Sequence, residues 1–307
     1  MSTRTLGVVA ARGSVEPIVL ALDIGGTKLA AGLVSNAGEL LASTRAETPV
    51  GDAEVLWEAV TSILDPLTDE AASLAPRGVA ALGVGSGGPM TRGGELVSPI
   101  NIAGWRDFPL RQRLAAAYGV PTFVDNDAKA LAVGEGRWGA ARGVDDYIAM
   151  VVSTGVGGGI VLNGRLLDGA AGNAGHIGHV IVEPDGRSCV CGAHGCLEAE
   201  ASGTAIAAIT GRPASDAPLG VRERTGRLVG RAVASVANLL DLKLALVAGS
   251  VALGFGDAFF DAAQEELDRS ARLDFSLGVA IRRAGLGVDG PVLGAAAVGL
   301  RGLDAAK

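Results

Sequence analysis

Apolar and polar residues follow two periods along this chain, and the clearest pattern is a pair of apolar runs each split by glycine. Residues 18–22 are all apolar and lead into Asp23, Ile24, Gly25, Gly26, Thr27 and Lys28, after which residues 29–34 resume the run. Residues 147–152 repeat the device. They lead into Ser153, Thr154, Gly155, Val156 and Gly157, and residues 160–162 are again apolar. An apolar run, a glycine-rich bend and a second apolar run predict a β-hairpin with a polar turn. Elsewhere the period lengthens. Residues 53–74 and 110–118 carry helical spacing, as do 228–240, 257–269 and 290–303. Residues 79–84, 122–124 and 244–247 are short apolar runs that read as strands. Asn126 stands where a helix cap is needed, with Asp127 in the first turn of a helix running to about Trp138. Strands interleaved with helices make the chain α/β.

The two hairpins lie about one domain apart, which suggests a duplicated fold. We place a domain break at 125/126. A smaller N-terminal domain then covers 17–125, with a C-terminal helix at 291–307 packing back on it, and a larger domain covers 126–290. Residues 1–16 lack a sustained apolar core and read as a loose leader, not a signal peptide.

Composition narrows the function. The 307 residues are 49% hydrophobic, 19% charged and carry a net charge of −7. That supports substantial cores and argues against a nucleic-acid binder, which needs a basic face. No apolar run is long and uninterrupted enough to span a bilayer. Glycine-lined turns let a ligand meet backbone N–H groups directly, and Thr or Ser hydroxyls can add bonds to phosphate oxygens. Neither turn is a P-loop, and neither opens a helix as a dinucleotide fingerprint does.

All three cysteines and all three histidines fall between His176 and Cys196. Cys189, Cys191 and Cys196 surround Gly192 and Gly195, whose turns let thiolates converge. Three thiolates and one imidazole make a closed tetrahedral zinc set. His179 is the imidazole we favour, and His194 competes with it. Three buried free thiols are the alternative reading. A disulfide leaves one cysteine odd and lacks a secretory context. Reduced thiols and no export signal point to the cytoplasm.

In order along the chain, several segments resemble the ROK family (repressors, open reading frames, kinases) of bacterial sugar kinases and sugar-responsive regulators. The first glycine turn, residues 23–28, is similar to the family's first phosphate motif. Residues 99–105 resemble its sugar-side loop, and Asn126-Asp127-Ala128 its catalytic loop. Residues 153–159 are similar to the second phosphate motif, and 175–198 to the sugar-and-zinc signature. The resemblance runs from about residue 19 to 298. It implies an actin-like, ribonuclease-H-like two-domain kinase that binds sugar and Mg-ATP in the cleft between domains, and a homodimer.

Carried over residue by residue, the resemblance implies Asp127 as general base and Asp23 facing Mg²⁺. Sugar contacts are Gly88, Asn101, Asn126, Asp127, His176, His179 and Glu198. Nucleotide and phosphate contacts are Asp23, Gly25, Gly26, Thr27, Lys28, Thr154, Gly155, Gly157, Gly249 and Ser250. The loop at 248–251 has less glycine than the family's adenosine loop, and Lys28 could neutralise phosphate but is read first as a solvated lysine. Structural zinc is held by His179, Cys189, Cys191 and Cys196.

Two departures matter. His176 replaces the Glu usual in sugar kinases of the family. A histidine can donate to a carbonyl, which a carboxylate cannot, and this suits a 2-acetamido sugar. N-acetylmannosamine kinases of the family also carry His here. Lys129 stands where Asn or Gln is usual, and is expected to point to solvent. The implied activity is ATP-dependent phosphorylation of a hexose or N-acetylhexosamine, N-acetylmannosamine ahead of glucose. Glucokinase, a sugar-sensing regulator and a degenerate kinase are the alternatives. The regulators carry an N-terminal DNA-binding domain, and only about 16 residues precede the first strand, so DNA binding is not expected.

Overall fold

The computed structural model describes residues 3–6, 17–74 and 78–306. The elements begin with β1 (Thr3–Leu6), β2 (Ile18–Ile24), β3 (Lys28–Ser35), β4 (Leu40–Glu47), α1 (Ala53–Leu74) and β5 (Ala81–Ser86). Next come α2 (Leu110–Tyr118), β6 (Thr122–Asn126), α3 (Asp127–Arg137), β7 (Tyr147–Val152), β8 (Val156–Leu162) and β9 (Arg165–Leu166). The chain continues through α4 (Leu197–Ala201), α5 (Gly203–Thr210), α6 (Leu219–Leu240) and β10 (Leu244–Ala248). It closes with α7 (Ser250–Phe255), α8 (Asp257–Ser270), β11 (Ala280–Arg283) and α9 (Gly290–Ala305).

These elements form two compact units. The first holds the chain up to Trp138, the excursion Asp168–Asn173, and everything from Val288. The second holds Gly139–Leu167 and Ala174–Gly287. The division therefore falls after α3, at 138/139, and not at 125/126. The reason is packing. A Cβ on Gly294 of α9 would lie 2.8 Å from the Ala130 backbone, so α3 and α9 approach too closely to belong to different bodies. The expected leader, 1–16, lies mostly outside the described residues. Within it, β1 pairs antiparallel with β4, so residues 3–6 are a strand.

In the first unit the sheet runs β1-β4-β3-β2-β5-β6. β2, β3 and β4 form an antiparallel meander, while β5 and β6 run parallel to β2. Helices cover both faces of β2, and its first five residues are all buried, which is why it reads as an unbroken apolar run. α1 buries Leu56, Val60, Ile63, Leu64 and Leu67 on one face. α9 lies so close to β5 that a Cβ on Gly83 would meet Ala295 O at 2.1 Å. Register pairs Asp23 with Gly85, and Ser86 with Asn126. The carboxyl ends of β2, β5 and β6 thus share one edge, where open α/β sheets bind ligands.

The second unit repeats the plan. Its sheet runs β11-β10-β7-β8-β9, with β7, β8 and β9 antiparallel and β10 and β11 parallel to β7. Read from its meander edge, each sheet has its third, second, first, fourth and fifth strands in that order, with the first unit adding β1 outside. α6 and α8 form the main helical layer. Gly226 and Gly230 admit them to close range, since a Cβ on either would stand 2.2 Å from Phe259 O or Ala263 O. α6 starts at Leu219, nine residues before its apolar face suggests. Its first turns are charged and held by polar bonds: Arg222 donates to Ala217 O at 2.8 Å, and Arg224 to Glu200 at 2.6 Å. No helix among the described residues is long and apolar enough to cross a membrane.

Candidate active site

At the shared strand edge of the first unit, Asn126 ends β6 and caps α3. Its Oδ1 accepts from Ala128 N at 3.0 Å and Lys129 N at 3.4 Å, leaving its amide N–H groups to point elsewhere. Asp127 opens the helix, is exposed, and accepts from Ala128 N at 2.8 Å. Asp23, at the end of β2, stands across Gly85 from it. A Cβ on Gly85 would lie 3.4 Å from Asp23 Oδ1 and 3.5 Å from Asp127 Cα. Burial pushes the Asp23 carboxyl up to about 8, and the negative charge of Asp127 pushes the same way. Two carboxylates held this way favour a cation between them or beside them.

The turn after Asp23 is closed by Gly25 N donating to Lys28 O at 3.0 Å. Thr48 Oγ1 braces it by donating to Gly25 O at 2.7 Å. Gly26, Thr27 and Lys28 are exposed. Gly26 lies against the loop that carries Asn101, where a Cβ would stand 2.7 Å from Asn101 Cβ. That loop is rigid. Trp105 is fully buried, stacks on Phe108 with ring centroids 4.3 Å apart, and donates to Ala53 O at 3.2 Å. Arg106 donates to Pro99 O and Ile102 O. Gly88 O accepts from Ile100 N at 3.1 Å, so Gly88, Asn101 and Gly26 belong to one braced surface.

The second unit gathers the other half of the expected residues. Val156 N, at the end of the second glycine turn, donates to Glu198 Oε2 at 2.8 Å. Gly155 is packed on the same oxygen. Ser153 Oγ lies 3.0 Å from Ser250 Oγ, and a Cβ on Gly249 would meet Val152 O at 2.3 Å. Thr154, Gly155, Gly249 and Ser250 therefore lie around one turn, with Gly157 just beyond on β8. The segment carrying His176 lies along β8: a Cβ on Gly175 would meet Gly158 O at 2.3 Å, and one on Gly178 would meet Val156 O at 2.3 Å. His176 is exposed, its ring 6.1 Å from that of His179.

His179, Cys189, Cys191 and Cys196 converge, their ligand atoms all within 4.8 Å of one another. Cys191 Sγ and Cys196 Sγ are 3.7 Å apart, and His179 Nδ1 is 3.7 Å from Cys189 Sγ. A tetrahedral zinc with bonds of about 2.3 Å to sulfur places its sulfurs about 3.8 Å apart. The donor set and spacing fit zinc, and the cysteines form no disulfide. Burial and the neighbouring thiols push the Cys196 thiol up to about 12, an opposition to ionisation that a divalent cation relieves. His194, the competing imidazole, lies outside this group, with Nδ1 3.5 Å from Ser188 Oγ. Cys196 also precedes α4, whose first turn carries Glu198. The cysteine cluster, Glu198 and the glycine turn are thus one connected piece.

A model of the ROK family matches residues 19–301. The chain belongs to the ROK family. It is 38% identical to an N-acetylmannosamine kinase of Yersinia pseudotuberculosis, over 77% of this chain and 84% of the relative. Among solved structures, a ROK hexokinase from Thermus thermophilus is 33% identical with a TM-score of 0.78, over 94% of this chain and 99% of the other. A ROK family glucokinase from Streptomyces griseus, solved with glucose and AMPPNP, is 30% identical with a TM-score of 0.79, over 92% and 99%. The fold is the actin-like, ribonuclease-H-like fold of ROK sugar kinases, in agreement with the duplicated sheet order.

Against the ROK pattern, Lys129 is the correction. It is not solvated but 2% exposed. Its ammonium donates to Asp168 Oδ1 at 2.8 Å and Gly172 O at 3.1 Å, and pairs with Asp125 Oδ1 at 3.0 Å. The partners in the excursion lie some forty residues on, beyond the reach of any local pattern. Lys28, by contrast, is exposed as its solvated reading expects. The bond from Val156 to Glu198 and the pairing of Ser153 with Ser250 also escape sequence reasoning. Only the placement of Glu198 two residues after Cys196 hinted at the first.

Proposed function

We propose that this ROK protein is an ATP-dependent sugar kinase that phosphorylates an N-acetylhexosamine or hexose at its 6-hydroxyl, N-acetylmannosamine ahead of glucose. The observation that carries the kinase reading is the pair Asp23 and Asp127 facing each other across Gly85 at the strand ends. Phosphoryl transfer needs a positioned hydroxyl, a base and neutralised phosphate charge. Asp127 accepts the proton of the attacking hydroxyl, and the cap at Asn126 fixes where its carboxylate begins. The amide of Asn126, with Asn101, Gly88, His176, His179 and Glu198, holds the sugar. Asp23 faces Mg²⁺, which when bound neutralises phosphate charge. Backbone N–H groups at Gly26, Gly155 and Gly157 meet phosphates with the Thr27 and Thr154 hydroxyls, while Gly25, its N–H bonded to Lys28 O, shapes the first turn. Gly249 and Ser250 border the adenosine.

The acetamido preference is supported by His176, which can donate to a carbonyl, and by the likeness to the Yersinia kinase. Zinc on His179, Cys189, Cys191 and Cys196 supplies no Lewis acidity to the reaction. It fixes the angle of the His179 ring and the start of α4. Since Nδ1 is the nitrogen nearest Cys189, Nε2 is left for the sugar.

The test is ADP release with glucose, mannose, N-acetylglucosamine and N-acetylmannosamine. Highest kcat/KM on N-acetylmannosamine is expected. Glucose ranked first overturns the acetamido preference, and no turnover on any of the four overturns the kinase. Chelation is expected to lower thermal stability and sugar affinity together; stripped protein that retains both refutes the zinc assignment.

A further inference from the structure

Between Leu167 and Ala174 the chain leaves the second unit, joins the first for six residues, Asp168–Asn173, and returns. Two pegs hold this excursion. At one, Asn173 Nδ2 donates to Met90 O at 3.2 Å, just after Gly88 and Pro89. At the other, the Lys129 ammonium takes both ends of the excursion, Asp168 Oδ1 and Gly172 O, and pairs behind them with Asp125. Asp125 is anchored in turn by Arg301 of α9 at 2.5 Å. Three oxygens lie within 3.1 Å of the ammonium nitrogen, two accepting hydrogen bonds and the third completing an ion pair, so this lysine is partnered inside the protein.

Stability alone does not account for such a residue. An apolar side chain of similar volume serves a core as well as a buried ion pair or better. What the ions supply is direction: two anions and one carbonyl fix where the excursion lies relative to α3. The two residues at stake are close along the chain. Asp127 is two positions before Lys129, and His176 is four positions after Gly172.

We propose that Lys129 is a positioning residue for sugar recognition: it clamps the 168–173 excursion to the base of α3, so that Asp127 and the segment feeding His176 are set by one ammonium. The proposal rests on the sugar-kinase reading. Lys129→Met removes the charge and keeps the volume. Asp168→Asn weakens the clamp at a half-exposed partner and leaves the core intact, so it decides the matter should Lys129→Met fail to fold.

Steady-state kinetics with both substrates varied, together with hydrogen–deuterium exchange over 168–176, tests it. A rise of about tenfold in sugar KM for Lys129→Met is expected, smaller for Asp168→Asn, with the ATP KM held within about twofold. The double variant should be no worse than Lys129→Met, because the two share one interaction. Faster exchange over 168–176 should accompany both. Equal losses for sugar and ATP, unchanged kcat and KM values in Lys129→Met, or unaltered exchange in Asp168→Asn each overturns it. A wild-type protein without turnover refutes the kinase reading instead, and exchange in Asp168→Asn then still decides whether the clamp exists.

Discussion

The two glycine hairpins come from one plan and end in different chemistry. Both are antiparallel, closed by Ile24 and Leu29 in the first and by Val152 and Val156 in the second. One residue before the closing pair stands Asp23 in the first and Val151 in the second. The first turn therefore delivers a carboxylate to the strand edge, opposite Asp127. The second delivers none of its own and instead receives one, with Glu198 accepting from Val156 N. The first is braced through a backbone oxygen by Thr48, the second through its N–H by an acid that follows the cysteine cluster. One hairpin carries a carboxylate of its own, which we assign to the cation, while the other is coupled through Glu198 to the segment we assign to the sugar.

Asp127→Asn, on α3 opposite the first hairpin, breaks the proposed chemistry there most completely. The amide keeps the shape but cannot take the hydroxyl proton, so kcat should fall about 10³-fold. Sugar affinity by calorimetry should stay within a few-fold. Retained turnover removes Asp127 as base.

The cation requirement sharpens the contrast next. With no divalent cation, the folded Asp23 carboxyl titrates near 8, against 3.8 ordinarily, chiefly through burial and secondly through Asp127. A raised carboxyl holds a proton that the unfolded chain releases. Its contribution is therefore fully present below about pH 4 and is lost as pH rises to about 8. Thermal melts of wild type minus Asp23→Asn, without divalent cation, should decline across that window. Mg²⁺ added at pH 8 should restore on the order of 5 °C to the wild type and nothing to the variant. A flat difference curve would sink the account of Asp23.

Both hairpins were legible in the sequence because buried strands read as apolar runs and their turns as glycine. Residues 53–74 and 110–118 were equally legible, since their apolar spacing is local. β4 was not: after Leu40 and Leu41 its residues are small or polar, and only Ala42 is buried. The charged first turns of α6 were missed because polar bonds hold them and no apolar face extends there. In the site, the cysteine cluster could be read from spacing, and the favoured imidazole, His179, is the one that lies with it. Lys129 was read backwards, because Asp125, four residues before it, lies on β6 and not on the helix, and Asp168 lies far along the chain.

A steric comparison of the turns is finer. Neither Gly26 nor Gly155 has a positive φ, so alanine at either costs space and not backbone strain. In Gly26→Ala the new Cβ meets Asn101 Cβ at 2.7 Å, the root of a side chain on a loop braced by Trp105 and Arg106. The loop cannot yield cheaply. Stability should drop by about 1–3 kcal/mol, and sugar KM should rise about tenfold if Asn101 holds the sugar. An unchanged sugar KM separates Asn101 from the site.

Gly155→Ala should do less, and the reason is what its Cβ meets. The contact is Glu198 Oε2 at 2.8 Å, the far end of a flexible side chain that can turn away. Turning away forfeits the bond from Val156 N, worth about 1 kcal/mol or somewhat more for a charged acceptor. If that bond only decorates the turn, turnover is unaltered. If it braces the turn while Glu198 also meets the sugar, the KM values for sugar and ATP should rise together, each about threefold. Glu198→Ala supplies the control. With the carboxylate gone the alanine at 155 has nothing to displace, so Gly155→Ala should add no further loss to it. Additive losses would mean that the second turn is shaped by its own glycine and not by the acid that follows Cys196.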